Sequence, residues 1–333
     1  MRILMVGAGA LGGYFGGRLL EAGANVTFLV RPRRARQLAE SGLQIRSVLG
    51  DVTLKSPPCI ETSAIAAPFD LVIVACKAYD LKSAMEAFAA AIGPQTAILP
   101  LLNGIRHVQD LSARFGAQHV LGGMCMISTV LDSDGTVRHL NDTHTLVFGE
   151  LDGRHSDRAA QFEAACTTAK FDGRCSPQIL QIMWEKWIFI ASAAGITCLM
   201  RAPVGDIVGA GAGDLAMSLF LECAAIAAQN GYPVSPAAVE QARAILTKAG
   251  SRWSASMYRD IQRGARTEGD HVLGDLIRHA VGSAAGQLLR AADAHVRAYE
   301  IGRARRQACD GPPNVDDTSR AAIRTAGPVR PQL

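Results

Sequence analysis

The chain has 333 residues, 19% of them charged and 49% hydrophobic, with a formal net charge of +4. That length suits two domains rather than one, and so mild a charge, with no basic stripe interleaved with aromatics, excludes nucleic acid as a partner. Eight cysteines with no C-x-x-C pair, most of them inside apolar runs, form no dense disulfide framework, argue against a structural zinc site, so that no metal is expected, and suit a reducing, cytoplasmic compartment.

The first 34 residues carry the strongest signal. An apolar run at 3–6 meets Gly7-Ala8-Gly9-Ala10-Leu11-Gly12, a G-x-G-x-x-G spacing, and a helix-forming segment follows to residue 22. Strand, tight turn and helix in that order make a dinucleotide cradle. Gly7 permits the turn, Gly9 lets a pyrophosphate approach the backbone, Gly12 lets the helix press on the strand, and the helix N-terminus offers unpaired N–H groups. A second apolar strand at 25–30 ends in Arg31, where an NAD-binding chain would place a carboxylate for the ribose 2′-hydroxyl. Arg31, with Arg33 and Arg34, suits the 2′-phosphate of NADP instead. The opening apolar run lacks the basic region and cleavage site of a signal peptide.

A helical segment ends near Gly42, and two alternating runs at 43–46 and 52–55 read as a hairpin inserted into the sheet. LVIVAC at 71–76 is continuously apolar, as in a strand buried on both faces, and Lys77 stands at its C-terminal end, where such sheets bind ligands. Residues 80–91 have helical spacing. The next strand, 96–102, ends in Asn103-Gly104, which reads two ways: an amide facing a ligand, or the turn chemistry of an Asn-Gly pair. Runs at 119–130, 136–140 and 145–149 look like the antiparallel edge of the same sheet. A helix at 157–169 and a polar stretch at 172–177 close a first domain of residues 1–176.

Beyond residue 177 the periodicity is helical throughout, at 179–200, 214–230, 236–248 and 254–262, with further segments from 272 to about 305. This predicts an α/β chain whose second domain, 177–305, is all helical, followed by a tail, 306–333, with the composition of a disordered segment. The uncharged run 187–200 is too short to cross a bilayer and reads as a helix buried between the domains, so no membrane partner is expected. Lys186 stands at the entrance to that helix. Poor stabilisation of its charge would lower its pKa and equip it to donate a proton; the alternative is a lysine snorkelling at a helix start.

In chain order, G-A-G-A-L-G-G, V-A-C-K, L-N-G, E-K-W, the S-M-Y-R-D stretch from Ser256 and the R-T-E ending at Glu268 resemble the ketopantoate reductase family over roughly residues 1–300. Members of that family reduce 2-dehydropantoate to pantoate with NADPH in pantothenate biosynthesis. The resemblance implies a Rossmann-type doubly wound sheet, then a helical domain similar to that of 6-phosphogluconate dehydrogenase, with the active site in the cleft and a homodimer as the family's usual state. It implies Lys186 as general acid, Lys77 and Asn103 lining the cofactor and substrate site, Ser256 on the substrate, and Glu268 positioning the cofactor and Lys186. An ammonium beside the carbonyl suits the charge that hydride transfer develops on oxygen. Gly264, between Ser256 and Glu268, predicts a break in the helix there.

The chain departs from the family at three places. Ile190, Ala194 and Val204 stand where the family has asparagines, so a hydroxylated substrate would lose partners. Thr197 could supply one hydroxyl, although bonding to its own backbone is the simpler expectation. A less polar 2-oxo acid or ketone therefore stays open as substrate. A non-catalytic NADPH-binding sensor is the remaining alternative, and it would need neither Lys186 nor Glu268.

Overall fold

A computed structural model describes residues 1–282 and 285–309. The first half runs β1 (Arg2–Val6), α1 (Ala10–Glu21), β2 (Asn25–Leu29), α2 (Pro32–Ser41), β3 (Leu43–Ser47), β4 (Val52–Leu54), β5 (Cys59–Ile60) and β6 (Leu71–Val74). It continues through α3 (Leu81–Phe88), β7 (Ala97–Pro100), α4 (Arg106–Phe115), β8 (Leu121–Leu131), β9 (Val137–Glu150), α5 (Asp157–Thr167) and β10 (Asp172–Cys175).

Five strands form a parallel sheet in the order β5-β2-β1-β6-β7. The chain leaves β1 toward β2 on one side and later returns to β6 on the other. The crevice outside the carboxyl ends of β1 and β6 is therefore the topological switch point, where doubly wound sheets bind ligands. Leu71 to Val74 are buried on both faces, which is why that run lacks the alternation of a half-exposed strand.

The hairpin β3–β4 and the long pair β8–β9 do not extend this sheet. They form a second one, β10-β9-β3-β4 with β8 on β9, joined to the first by a single bridge from Ile98 to Val120. Both sequence expectations for these runs are corrected, and the reason lies in α1. A Cβ at Gly13 would run into Val137 and one at Gly17 into Ile45, whereas Gly12 and Gly16 meet the first sheet, so the second sheet packs on an adjoining face of α1 about 100° round the helix. The polar stretch read as a domain closure contains β10, which pairs in parallel with β9.

The second half is helical among the described residues: α6 (Ile179–Met200), α7 (Val204–Gly209), α8 (Gly213–Gln229), α9 (Pro236–Leu246), α10 (Ser256–Gln262), α11 (Asp275–Arg278) and α12 (Gln287–Cys309). The last helix continues through residues 306–309, assigned above to the tail; residues 310–333 lie outside the described residues. By length and composition α6 could span a membrane, yet 67% of its apolar window is buried within the protein. Its polar groups turn inward on the backbone. Ser192 Oγ donates to the Ile188 carbonyl and Thr197 Oγ1 to the Ala193 carbonyl, each at 2.6 Å, so Thr197 takes the backbone option.

The break expected at Gly264 is present. This residue sits at φ +68° two positions after α10, and the chain re-enters a helix as a π turn at Asp270–Gly274. One apolar cluster runs from Leu4 and Val74 through Trp187 to Leu273, so the halves share a core.

Candidate active site

The glycine turn has the shape its sequence predicts. Gly7 adopts φ +96°, and its N–H donates to the Leu29 carbonyl at 2.9 Å. A Cβ at Gly12 would collide with the Gly7 carbonyl, whereas one at Gly9 would meet nothing within 4 Å. Only Gly9 therefore keeps space open outside the turn. Gly9 is also the N-cap of α1 and supplies no side-chain acceptor to the helix's first N–H groups. Open space over unpaired donors at the positive end of a twelve-residue helix fits a pyrophosphate.

Arg34 is not part of the surface beyond that turn. It donates from Nε to the Ala8 carbonyl at 2.9 Å, with further bonds to Gln37 and the Gly135 carbonyl, and so braces the turn from behind. Its expected share in binding a 2′-phosphate is corrected accordingly. Arg31 is 75% exposed at the head of α2 and pairs with Asp80 at 3.0 Å. An exposed pair of this kind is worth about 0–1 kcal/mol, so a phosphate dianion competes for the guanidinium at little cost.

Lys77, after β6, reaches across to the helical half. Its Nζ lies 3.0 Å from Glu268 Oε2 and 3.3 Å from Asp260 Oδ2, while Glu268 Oε1 accepts from the Ala78 N–H at 2.9 Å. Burial opposes the charge on Lys77, but the two carboxylates outweigh it and hold the ammonium's pKa above its ordinary value. Asp260 was not singled out from the sequence. The available signal was its position four residues after Ser256, which puts both on one face of α10.

This geometry corrects the role expected of Glu268. Its two oxygens are committed to Lys77 and Ala78, and Lys186 has no carboxylate within 4.0 Å among the described residues. Lys186 instead points from α6 toward β8, where Cys125 Sγ lies 4.0 Å from Nζ. Trp187, next to Lys186 in the chain, donates from Nε1 to the Val272 carbonyl at 2.9 Å and so ties α6 to the π turn that follows Glu268.

Asn103 sits in the turn after β7, followed by Gly104 at φ +78°. Its turn chemistry is real, and its side-chain amide makes no hydrogen bond to the protein among the described residues, so it is free for a ligand. Behind it, His107 of α4 and His271 of the π turn stack at 5.7 Å and 28°. Neither ring nitrogen of His107, nor Nε2 of His271, has a partner in good hydrogen-bond geometry, although the Asn103 backbone lies near enough to both rings to favour their charged forms. Burial lowers the pKa of both. The charge of Lys186 adds to the effect at His107, and that of Glu268 opposes it at His271. Sequence reading missed this pair, since a lone histidine on each of two distant segments carries no spacing signal.

Ser256 opens α10 with its hydroxyl exposed and unbonded. Of the three positions that depart from the family pattern, Ile190 is half-buried, whereas Ala194 and Val204 are packed into the core. Cys76, beside Lys77, is no competing nucleophile, because burial pushes its thiol up to about 12.

Comparison with known proteins agrees with this architecture. The profile of ketopantoate reductase PanE/ApbA matches residues 3–153, and that of its C-terminal region matches 178–286. The chain is 39% identical to the uncharacterized oxidoreductase YkpB of Bacillus subtilis, over 90% of this chain and 99% of that protein. Its structure is similar to the crystal structure of 2-dehydropantoate 2-reductase from Geobacter metallireducens, with a TM-score of 0.81 at 26% identity over 90% of this chain and 99% of that one. D-mandelate dehydrogenase, solved with NADH and anilino(oxo)acetate, shares the fold at 22% identity, with a TM-score of 0.79 over 91% of this chain and 100% of that one.

Proposed function

The chain belongs to the ketopantoate reductase family, and from that premise we propose that it reduces a 2-oxo acid, 2-dehydropantoate before others, with NADPH. At the coarser level it is an oxidoreductase of the ketopantoate reductase type. When bound, the reduced nicotinamide supplies hydride to the C2 carbonyl carbon.

The chain's own residues do the rest. The open face of Gly9, with Ala8, Ala10 and Leu11 around it, holds the pyrophosphate, and Arg31 selects the 2′-phosphate. Lys77 is oriented by Glu268 and Asp260 and carries positive charge to the crevice edge, while Asn103 and Ser256 offer uncommitted polar groups to the substrate. Lys186 donates the proton to the carbonyl oxygen as negative charge develops there. This assignment rests chiefly on the difference between the two lysines. Lys77 is held by two carboxylates, and Lys186 by none among the described residues. Glu268 thus acts on the site through Lys77.

Steady-state kinetics with 2-dehydropantoate and NADPH test the proposal. Lys186→Ala should lower kcat by about 10²–10⁴-fold, the usual worth of a positioned acid, and leave cofactor binding in place. An unchanged kcat removes Lys186 from the mechanism. NADPH should exceed NADH in kcat/KM, and Arg31→Ala should narrow that preference.

A second reading keeps the chemistry and changes the substrate to a less polar 2-oxo acid. It is favoured by Ile190, Ala194 and Val204, none of which can hydrogen-bond a distal hydroxyl through its side chain. Comparing kcat/KM for 2-oxo acids with and without that hydroxyl separates the two. We further propose a cytoplasmic homodimer, which light scattering after gel filtration checks for oligomeric state.

A further inference from the structure

Beside the C-terminal end of α10 lies a cavity of about 480 Å³ bounded by the end of α6, the turn after α10 and the outer half of α12. Two guanidiniums and an imidazole line it: Arg201, Arg306 and His295. None of the residues proposed for the active site lines it, and Arg201 is fifteen residues, about 22 Å of helix, from Lys186.

Three observations set it apart from ordinary basic surface. On α12, Arg297 pairs with Asp293 and Arg303 with Glu300, whereas Arg290, Arg305 and Arg306 have no carboxylate partner among the described residues, nor has Arg201; of these only Arg201 and Arg306 line the cavity. His295 Nε2 is buried without a hydrogen-bond partner, close enough to Arg201 that the guanidinium adds to the effect of burial in lowering its pKa. Arg201 is also the only non-glycine residue at positive φ among the described residues, ending α6 at φ 54° and ψ 35° where glycine or asparagine is usual.

We propose that this cavity is a second binding site, for a small molecule bearing a phosphoryl group. Two guanidiniums from separate elements and an imidazole surround a common volume, which matches a tetrahedral dianion better than a planar carboxylate, since one fork satisfies the latter. Ile261 and Ala298 leave apolar wall for the organic remainder.

Occupancy has a route to the active site. The wall residues Ile261 and Gln262 directly follow Asp260, one of the two carboxylates on Lys77. Tyr299, also in the wall, donates to the Ala265 carbonyl at 2.7 Å, and its neighbour Glu300 accepts from the Thr267 N–H at 2.6 Å. The segment that carries Glu268 is thereby clamped to the helix that lines the cavity. A ligand drawing α12 and the end of α6 together shifts the charge set around Lys77.

The experiment titrates inorganic phosphate into the full chain by calorimetry at matched ionic strength, with acetate as control. It compares wild type with an Arg201→Ala/Arg306→Ala double variant and an Arg201→Lys/Arg306→Lys double variant. A saturable phosphate component, absent with acetate, lost in the alanine variant and weakened in the lysine variant, is expected. Identical isotherms for wild type and the alanine variant overturn the site. The glycine turn also attracts phosphate, so the KM for NADPH is measured with and without saturating phosphate. A change of about fivefold or more confined to wild type is expected for coupled sites. A KM increase of equal size in wild type and the alanine variant assigns all phosphate binding to the cofactor cradle and overturns the proposal.

Discussion

Two glycines five and two positions along the same turn answer to different constraints. At Gly12 a methyl group would press on the backbone carbonyl of Gly7, which has no freedom to move aside, so Gly12→Ala should cost about 1–3 kcal/mol of stability, as overpacking against a rigid neighbour does. At Gly9 the same methyl meets no protein atom. Gly9→Ala should leave the melting temperature nearly unchanged while raising the KM for NADPH by about tenfold, equivalent to about 1.4 kcal/mol of lost binding. Thermal melts beside cofactor titrations check both, and a Gly9 variant that loses stability but binds normally would contradict the cradle. The motif spacing already separated the two roles, and the structure adds that the close approach at Gly12 is to the Gly7 carbonyl. The sequence also named Arg34 as a phosphate ligand, because nothing in the string R-P-R-R tells that the third arginine turns back under Ala8.

At the level of elements, the α4–π-turn contact and the Lys77 bridge respond to pH in opposite directions. Buried His107 and His271 have pKa values below those of free imidazoles, so below about pH 6.5 the unfolded chain takes up protons that the folded chain does not. The stability contributed by this stack is present above that pH and is lost as the pH falls toward the folded pKa values. His107→Phe, which keeps a ring in the stack, should flatten the fall in melting temperature between pH 7 and 5; an unchanged slope would place the acid sensitivity elsewhere. Lys77 is shifted upward, so its contribution is complete below its ordinary pKa and is lost as the pH rises through the elevated one. Because Lys77 is 42% exposed, Glu268→Gln should cost only about 1 kcal/mol of stability. The amide retains an acceptor for the Ala78 N–H but leaves Lys77 with Asp260 alone, so the larger effect should fall on the KM for cofactor, measured at fixed substrate.

For the molecule as a whole, one apolar cluster continues from β1 and β6 through Trp187 to the π turn and is shared by both halves, while a second, around Phe15, Phe28 and Phe148, belongs to the first half alone. Calorimetry should therefore show one cooperative transition, with van't Hoff and calorimetric enthalpies in agreement; two resolved transitions would mean that the halves fold independently. The sequence by itself determined the parallel sheet, the glycine turn, the run of helices and the bend at Gly264, because these rest on local chemistry: apolar runs, positive-φ glycines and helical spacing. It also put Lys77 and Asn103 just beyond the carboxyl ends of β6 and β7, since strand direction fixes which end a residue occupies, and left the role of Asn103 open. The tertiary structure decided what no local pattern encodes. Strands separated by about ninety residues pair as β3 and β9 into a second sheet against α1. Glu268 closes on Lys77 and Lys186 has no carboxylate partner among the described residues, and two histidines far apart in the chain become one stack. Each of these depends on which surfaces meet when the halves pack, a property of the whole core rather than of any stretch of the chain.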